Sequence, residues 1–262
     1  MRHRTALTAT STALAILAPA ALLGTASGAP GESPNGFFLT NSWSSGAADH
    51  AFHFGRFTDE VYVGDWDGDG TDSVAVRRGA RFYVTNNAAG GPAELELSYG
   101  RATDEVLVGD WDGDGDDTFA VRRGTAIHLK NSLGGGPADQ VASHSRTDDE
   151  LFIGDWDGDG TDTVMWRIGG IPTFYPKDHW DVGHALYYFR YGHQDDRVIV
   201  GDWDGDGCDT IGVRRGNVYL ASNVLNSGSA QVTVAYGRAT DEAYIGDWDG
   251  DGRDTLGVRR TP

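Results

Sequence analysis

The chain has 262 residues, with 39 acidic against 21 basic side chains and a net charge of −18. That length suits one large domain or two small ones, and that charge repels nucleic-acid phosphates and anionic lipid surfaces, so nucleic-acid binding and membrane insertion are not expected. A single cysteine, Cys208, excludes a disulfide framework, which a mature chain of roughly 225 residues can do without.

In chain order, the basic MRHR start is followed by the apolar run ALAILAPAALLG and the small-residue stretch TASGAP, with Ala26 and Gly28 at the −3 and −1 positions. This pattern predicts a secretory signal peptide over residues 1–28 and a secreted, extracellular protein. A short linker is expected over residues 29–35. No later run is apolar enough to cross a membrane.

From residue 36 onward the heptapeptide GDWDGDG occurs five times, with its first aspartate at Asp65, Asp110, Asp155, Asp202 and Asp247. The spacings of 45, 45, 47 and 45 residues mark a repeat architecture. Residues 82–124 show the unit. FYVTNN is a short alternating strand, ELELSYG a second, VLVGD a third and, beyond the acidic turn, TFAVRRG a fourth. No stretch in this region has a helical period. Four antiparallel strands in about 45 residues make a β-propeller blade. The opening FFLTNSW matches the unit's first strand and the closing DTLGVRR its fourth. The expected fold is therefore all-β: a five-bladed β-propeller over residues 36–262, its ring closed by joining amino- and carboxy-terminal strands. A solenoid or open array is the alternative, and it leaves sheet edges free.

The acidic turn DWDGDGTDS places carboxylates at its positions 1, 3 and 5. These are Asp65, Asp67 and Asp69, then Asp110, Asp112 and Asp114, then Asp155, Asp157 and Asp159, then Asp202, Asp204 and Asp206, and last Asp247, Asp249 and Asp251. Alternation through a tight turn points them to one side, and Gly70 permits the reversal. The carbonyl of Thr71 can then face inward. An oxygen-only donor set with three carboxylates suits Ca²⁺ better than Mg²⁺, so up to five structural calcium ions are expected. The tryptophan at position 2 should point away and pack between sheets. The turn is not an EF-hand, because position 12 holds Val76, Val121, Trp166, Val213 and Val258 instead of a glutamate.

VGDWDGDGTDSVAV resembles the FG-GAP and VCBS class of calcium-binding β-propeller repeats, also found in the integrin α-subunit head. The resemblance implies a calcium loop in each blade, with Asp65, Asp67, Asp69 and the Thr71 carbonyl as ligands in the first and the same positions in the others. The chain departs from that pattern at position 9, where the family usually has aspartate and this sequence has Ser73, Thr118, Thr163, Thr210 and Thr255. Asp72, Asp117, Asp162, Asp209 and Asp254 stand one position earlier and are candidate further ligands. Either the loop closes differently, or a hydroxyl or water completes the shell.

Each unit also ends its fourth strand in arginine, doubled in four units, and four units carry an acidic pair such as Asp59-Glu60. An ordered ion pair within or between blades accounts for both. Paired acids could alternatively serve glycoside hydrolysis, but a pair used in nearly every unit is a poor single catalytic centre. Residues 171–192, IPTFYPKDHWDVGHALYYFRYG, break the pattern. Tyr175, His179, Trp180, Tyr187 and Tyr188 are the candidate ligand-binding residues there, since aromatic and polar groups on loops serve recognition. No nucleophile elbow, phosphate loop or zinc signature is present, and no enzymatic activity is expected. The leading expectation is a lectin-like binding module that uses pockets between blades, with a glycan as partner. A protein-interaction or adhesion subunit of a larger extracellular assembly is the alternative, and a glycan-active enzyme the third reading.

Overall fold

In the computed structural model the described residues are 34–180, 184–185 and 187–260. The expected signal peptide, and the linker up to residue 33, lie outside them.

Among the described residues there are twenty strands and no helix. The chain opens with β1 (Pro34–Leu39) and β2 (His50–Arg56). The first blade follows as β3 (Glu60–Gly64), β4 (Ser73–Arg78), β5 (Arg81–Val84) and β6 (Leu95–Ser98). The second is β7 (Glu105–Gly109), β8 (Thr118–Arg123), β9 (Ala126–Leu129) and β10 (Gln140–Ser143). The third is β11 (Asp149–Gly154), β12 (Thr163–Ile168), β13 (Thr173–Pro176) and β14 (Phe189–Arg190). The fourth is β15 (Arg197–Gly201), β16 (Thr210–Arg215), β17 (Val218–Ala221) and β18 (Val232–Ala235). Last come β19 (Glu242–Gly246) and β20 (Thr255–Arg260), which pair with β1 and β2 to complete the fifth blade in the order β19-β20-β1-β2.

Every pairing is antiparallel, and the innermost strands β3, β7, β11, β15 and β19 neighbour one another in a closed circle. The fold is the expected five-bladed propeller, with the expected clasp: Phe37 pairs with Arg259 and Phe38 with Val258. Two boundaries differ from the sequence reading. The unit read from residue 82 straddles two blades, because the acidic turn joins the innermost strand to the second rather than sitting late in a blade. β1 begins at Pro34, inside the expected linker, because its pairing with β2 reaches Arg56.

The core is divided into five apolar slabs, each between neighbouring blades. Trp66, Phe82 and Tyr99 of the first blade and its outgoing turn meet Phe119 and Val121 of the second, where Phe82 and Phe119 stack at 4.1 Å. The position-2 tryptophans Trp66, Trp111, Trp156, Trp203 and Trp248 are all buried in these slabs, as the sequence implied. The second strand of each blade is buried on both faces, as in β4 (SVAVRR).

Arginines tie the slabs together. The first arginine of each pair is buried and crosses to the next blade. Arg77 donates to Glu60 of its own blade at 2.8 Å and to the carbonyls of Asp104 and Arg101 beyond it. The second arginine holds the buried acid of its own blade. Arg78 binds Asp59, Arg123 binds Asp104, Arg215 binds Asp196 and Arg260 binds Asp241, each through two nitrogens.

Candidate functional site

Each acidic turn curls around its first aspartate. Asp65 Oδ2 accepts the Gly70 N–H at 2.7 Å and Oδ1 accepts the Asp69 N–H at 3.2 Å. Asp69 Oδ1 in turn accepts the Thr71 N–H at 2.9 Å. Gly68 and Gly70 allow the curl, with φ of +68° and +83°, where a side chain is strained. The outcome is that one carboxylate oxygen from each of Asp65, Asp67 and Asp69 lies within 4.8 Å of the others, and the same holds for the triads beginning at Asp110, Asp155, Asp202 and Asp247. These are all the metal-candidate groups among the described residues. The position-3 and position-5 aspartates are exposed. Burial, then the neighbouring carboxylates Asp69 and Asp65, push the Asp67 carboxyl above its ordinary range. Asp157 and Asp249 are raised in the same way. Three converging hard oxygens with unbalanced negative charge form a donor set that fits a divalent cation.

The position-8 aspartates are not brought to the triads. Asp117 reaches the preceding blade: its N–H donates to the Asp65 carbonyl at 2.7 Å, and its Oδ2 accepts the Asp65 N–H at 2.9 Å. Asp162 holds Asp110, Asp209 holds Asp155, Asp254 holds Asp202, and Asp72 holds Asp247 by the same two bonds. This clamp explains the glycine before every turn. A Cβ at Gly64 would come within 2.7 Å of Asp117 Oδ2, and one at Gly109 within 2.6 Å of Asp162 Oδ2. Glycine at that position is an approach requirement, not a turn requirement.

Around the axis, Asp72, Asp117, Asp162, Asp209 and Asp254 form a ring of mutually repelling carboxylates. They are half-buried. Burial, reinforced by neighbouring carboxylates, raises all five, Asp117 and Asp209 to about 7. The position-9 hydroxyls are also engaged elsewhere. Ser73 donates to the Thr85 carbonyl, Thr118 to that of Lys130 and Thr163 to that of Lys177, each at 2.6 Å. Thr210 and Thr255 donate to Gly201 and Gly246.

Sequence reasoning missed an amide partner for the triads. Two residues past the third strand, Asn86 donates to Asp67 at 2.8 Å, Asn131 to Asp112 at 2.6 Å and Asn223 to Asp204 at 2.7 Å. Asn41 does so to Asp249. In the third blade this position is Asp178, a fourth carboxylate that further raises Asp157. The signal was present in the sequence as an asparagine at a fixed distance from the turn.

The candidate ligand residues of the third blade separate into two groups. Trp180 belongs to the frame. Its indole N–H donates to the Asp162 carbonyl at 2.8 Å and its ring meets Trp111 edge-on at 5.6 Å. Trp43 repeats this in the fifth blade, donating to Asp254 at 2.8 Å and meeting Trp203 at 5.1 Å. His179 is exposed and lines none of the cavities described below. Tyr175, Tyr187 and Tyr188 do line them. One cavity of about 530 Å³ lies between Ile168, Ile171, Tyr175, Tyr188 and Arg190. Another of about 550 Å³ lies between Trp166, Tyr175, His184, Tyr187 and Tyr188. A smaller one of about 190 Å³ continues from Trp166 and His184 to His144, Lys177 and Trp180 at the junction with the second blade.

Smaller grooves recur at other junctions. Tyr99-Gly100 of the first blade faces Val121, Arg123 and His128 of the second around about 260 Å³. Tyr236-Gly237 faces Val258, Arg260 and Phe38 around about 210 Å³ between the fourth and fifth blades. Apart from Arg101, which has no counterpart in the second lining, the two match in position, including a glycine-containing loop on the far side, Gly136 in one and Gly46 in the other. No protein-family model matches this chain, and no curated protein matches it.

Proposed function

We propose that the protein is a secreted, calcium-stabilised binding module of the FG-GAP/VCBS kind that recognises carbohydrate in a lectin-like manner. The observation that carries this reading is the inter-blade groove that recurs with one lining, at Tyr99, Val121 and Arg123 and again at Tyr236, Val258 and Arg260. Each groove is smaller than the roughly 300–1,000 Å³ of a drug-sized pocket, and combines an apolar wall with a guanidinium and backbone groups. That suits a small polar ring bound weakly. Equivalent weak sites on one rigid ring gain through multivalency.

Calcium would be held by the three turn carboxylates of each blade, with the position-7 carbonyl turning inward as a further donor. Its contribution is charge neutralisation at the blade corners. The reading includes no catalytic step. In its support, the acidic pairs that could have served hydrolysis are bound to arginines, as Asp59 is to Arg78 and Glu60 to Arg77.

A glycan array probed with the full chain in excess calcium tests the reading. Retention should rise steeply with printed sugar density, and should fall when Arg123 and Arg260 are both changed to alanine. An array with no glycan retained in calcium overturns it.

A further inference from the structure

Several of the third blade's differences from the other four gather on one face. Cross-strand register aligns Leu151, Trp166 and Tyr175 in a row across β11, β12 and β13. The Phe174–Phe189 pair then sets Tyr188 beside Tyr175. Trp166 and Tyr175 stack at 5.6 Å with planes 14° apart, and Tyr188 lies 6.1 Å from Tyr175 at 42°. The equivalent rows elsewhere read Val76–Tyr83–Glu96, Val121–His128–Val141, Val213–Leu220–Thr233 and Val258–Phe38–Ala51. No other row has three rings.

Among the described residues no guanidinium lies over the third-strand ring of this row. In the first and fifth blades a guanidinium lies over the third-strand ring, Arg78 over Tyr83 at 4.8 Å and Arg260 over Phe38 at 4.5 Å. The third blade has Ile168 at that position. The buried acid that the missing arginine would hold, Asp149, is taken instead by His144 at 2.7 Å and Arg146 at 3.1 Å. His144 in turn replaces the aromatic residue that fills this junction elsewhere, and it meets Trp166 edge-on at 5.1 Å. Removing the arginine cap, widening valine to tryptophan and adding Tyr188 at 70 % exposure all extend the same trough.

We infer that this trough is a separate binding site for a neutral oligosaccharide chain, whose sugar rings pack against the exposed Tyr188 ring and the open sides of the Trp166–Tyr175 stack. The inference shares only its ligand class with the reading above; the site is a different one. A pyranose has an apolar C–H face and a polar rim. A stacked aromatic pair continued by the tilted Tyr188 ring and flanked by Arg190, Thr173 and His184 is complementary to both. The flanking cavities, at about 530 and 550 Å³, have room for more than a single ring. The lining carries no carboxylate and one guanidinium, Arg190, so it offers little to a highly charged chain, and the net charge of −18 disfavours the approach of polyanions. A proline-rich peptide, the other ligand of aromatic grooves, seats its prolines in slots between upright rings. Trp166 and Tyr175 instead stack on each other and leave no slot between them.

Titration of the full chain with cellohexaose, mannohexaose and xylohexaose, read by tryptophan fluorescence and calorimetry, tests the site, with an oligogalacturonide and a proline-rich decapeptide run as rival probes. At least one neutral hexasaccharide should bind. Tyr188→Ala, which removes an exposed ring, should weaken it about tenfold. Trp166→Val, which installs the residue of the other blades, should weaken it at least as much. Binding of none of the three, tighter binding of a rival probe, or unchanged affinity in both variants overturns the inference. The two readings fail separately. Density-dependent array binding that Tyr188→Ala leaves intact, with none of the three hexasaccharides bound, keeps the repeated grooves and removes the trough. Hexasaccharide binding lost in Tyr188→Ala, with no array signal for small sugars, does the reverse.

Discussion

The axis of the propeller and the rim of its third blade follow opposite rules. At the axis, five clamps repeat one geometry, with N–H to Oδ2 distances of 2.8 or 2.9 Å in every blade. At the rim of the third blade the valine, the capping arginine and the junction aromatic are all replaced together. Repetition at the axis belongs to the frame, because a ring closes only if each junction is equivalent to the next. The rim is free to vary because closure of the ring does not depend on it. Function that discriminates among ligands is therefore expected at the rim, and conditions that threaten the fold should act at the axis.

The largest expected effect is metal removal. A cation that binds only the folded chain stabilises it by about 2.7 kcal/mol per site at a hundredfold excess over Kd, and there are five triads. Thermal melts in calcium and in chelator should differ strongly, and by the same amount for the wild type and Tyr188→Ala. An unchanged Tm would remove calcium from the account of the axis.

Next in size is a pair of tryptophan substitutions that contrasts the regions directly. Trp111 is 5 % exposed in an inter-blade slab, and Trp111→Ala should cost about 3–5 kcal/mol through the cavity it leaves. Trp166→Val should cost about 1 kcal/mol or less, since it occupies a partly open face. Urea unfolding with unchanged m-values would measure both. Equal costs would mean that the third-blade row is a core element.

The third prediction concerns pH. The ring carboxylates titrate higher in the folded chain than the roughly 3.9 of an unfolded aspartate, with Asp117 and Asp209 near about 7. Between those values the folded state holds protons that the unfolded state has released. Their contribution is complete below about pH 4 and is lost as pH rises through about 7. Asp104 acts oppositely, because its hydrogen bond to Arg123 lowers it, and stability from it is lost as pH falls through its folded value. In chelator, Tm should therefore rise on moving from about pH 7.5 to about pH 5. Asp117→Asn keeps an acceptor for the Asp65 N–H and should flatten that rise. A Tm that falls over this interval contradicts the ring.

Most of the frame was legible in the sequence, and the reasons are local. Strand alternation, turn glycines and the period of the heptapeptide are all read within about 45 residues. The matching FFLTNSW and DTLGVRR ends made the clasp readable too. The role of Asp117 was not legible, because its partner Asp65 is 52 residues away and nothing in DWDGDGDD distinguishes a ligand from a clamp. The glycine before each turn was the available clue. The framework contacts of Trp180 were hidden for another reason. KDHW at residues 177–180 matches TNSW at 40–43 in register, but the surrounding divergence hid the match. The true novelty lay in Trp166, which the repeat pattern classed as a strand residue.

The smallest expected effect tests whether the third blade's difference reaches the axis. Asp178 replaces the asparagine that donates to the position-3 aspartate in the other blades, and it raises Asp157. Without metal, Asp178→Asn should relieve a like-charge contact and add an amide donor, raising stability by a fraction of about 1 kcal/mol. With calcium, the same change removes a negative charge beside the triad and should weaken the third-loop site relative to the other four. Asn86→Asp in the first blade is the reciprocal test and should shift both quantities the other way. Calorimetric calcium titrations of the two variants would show whether one site moves against four. Identical isotherms would confine the symmetry break to the aromatic row, and the axis would then be five equal sites in fact as well as in sequence.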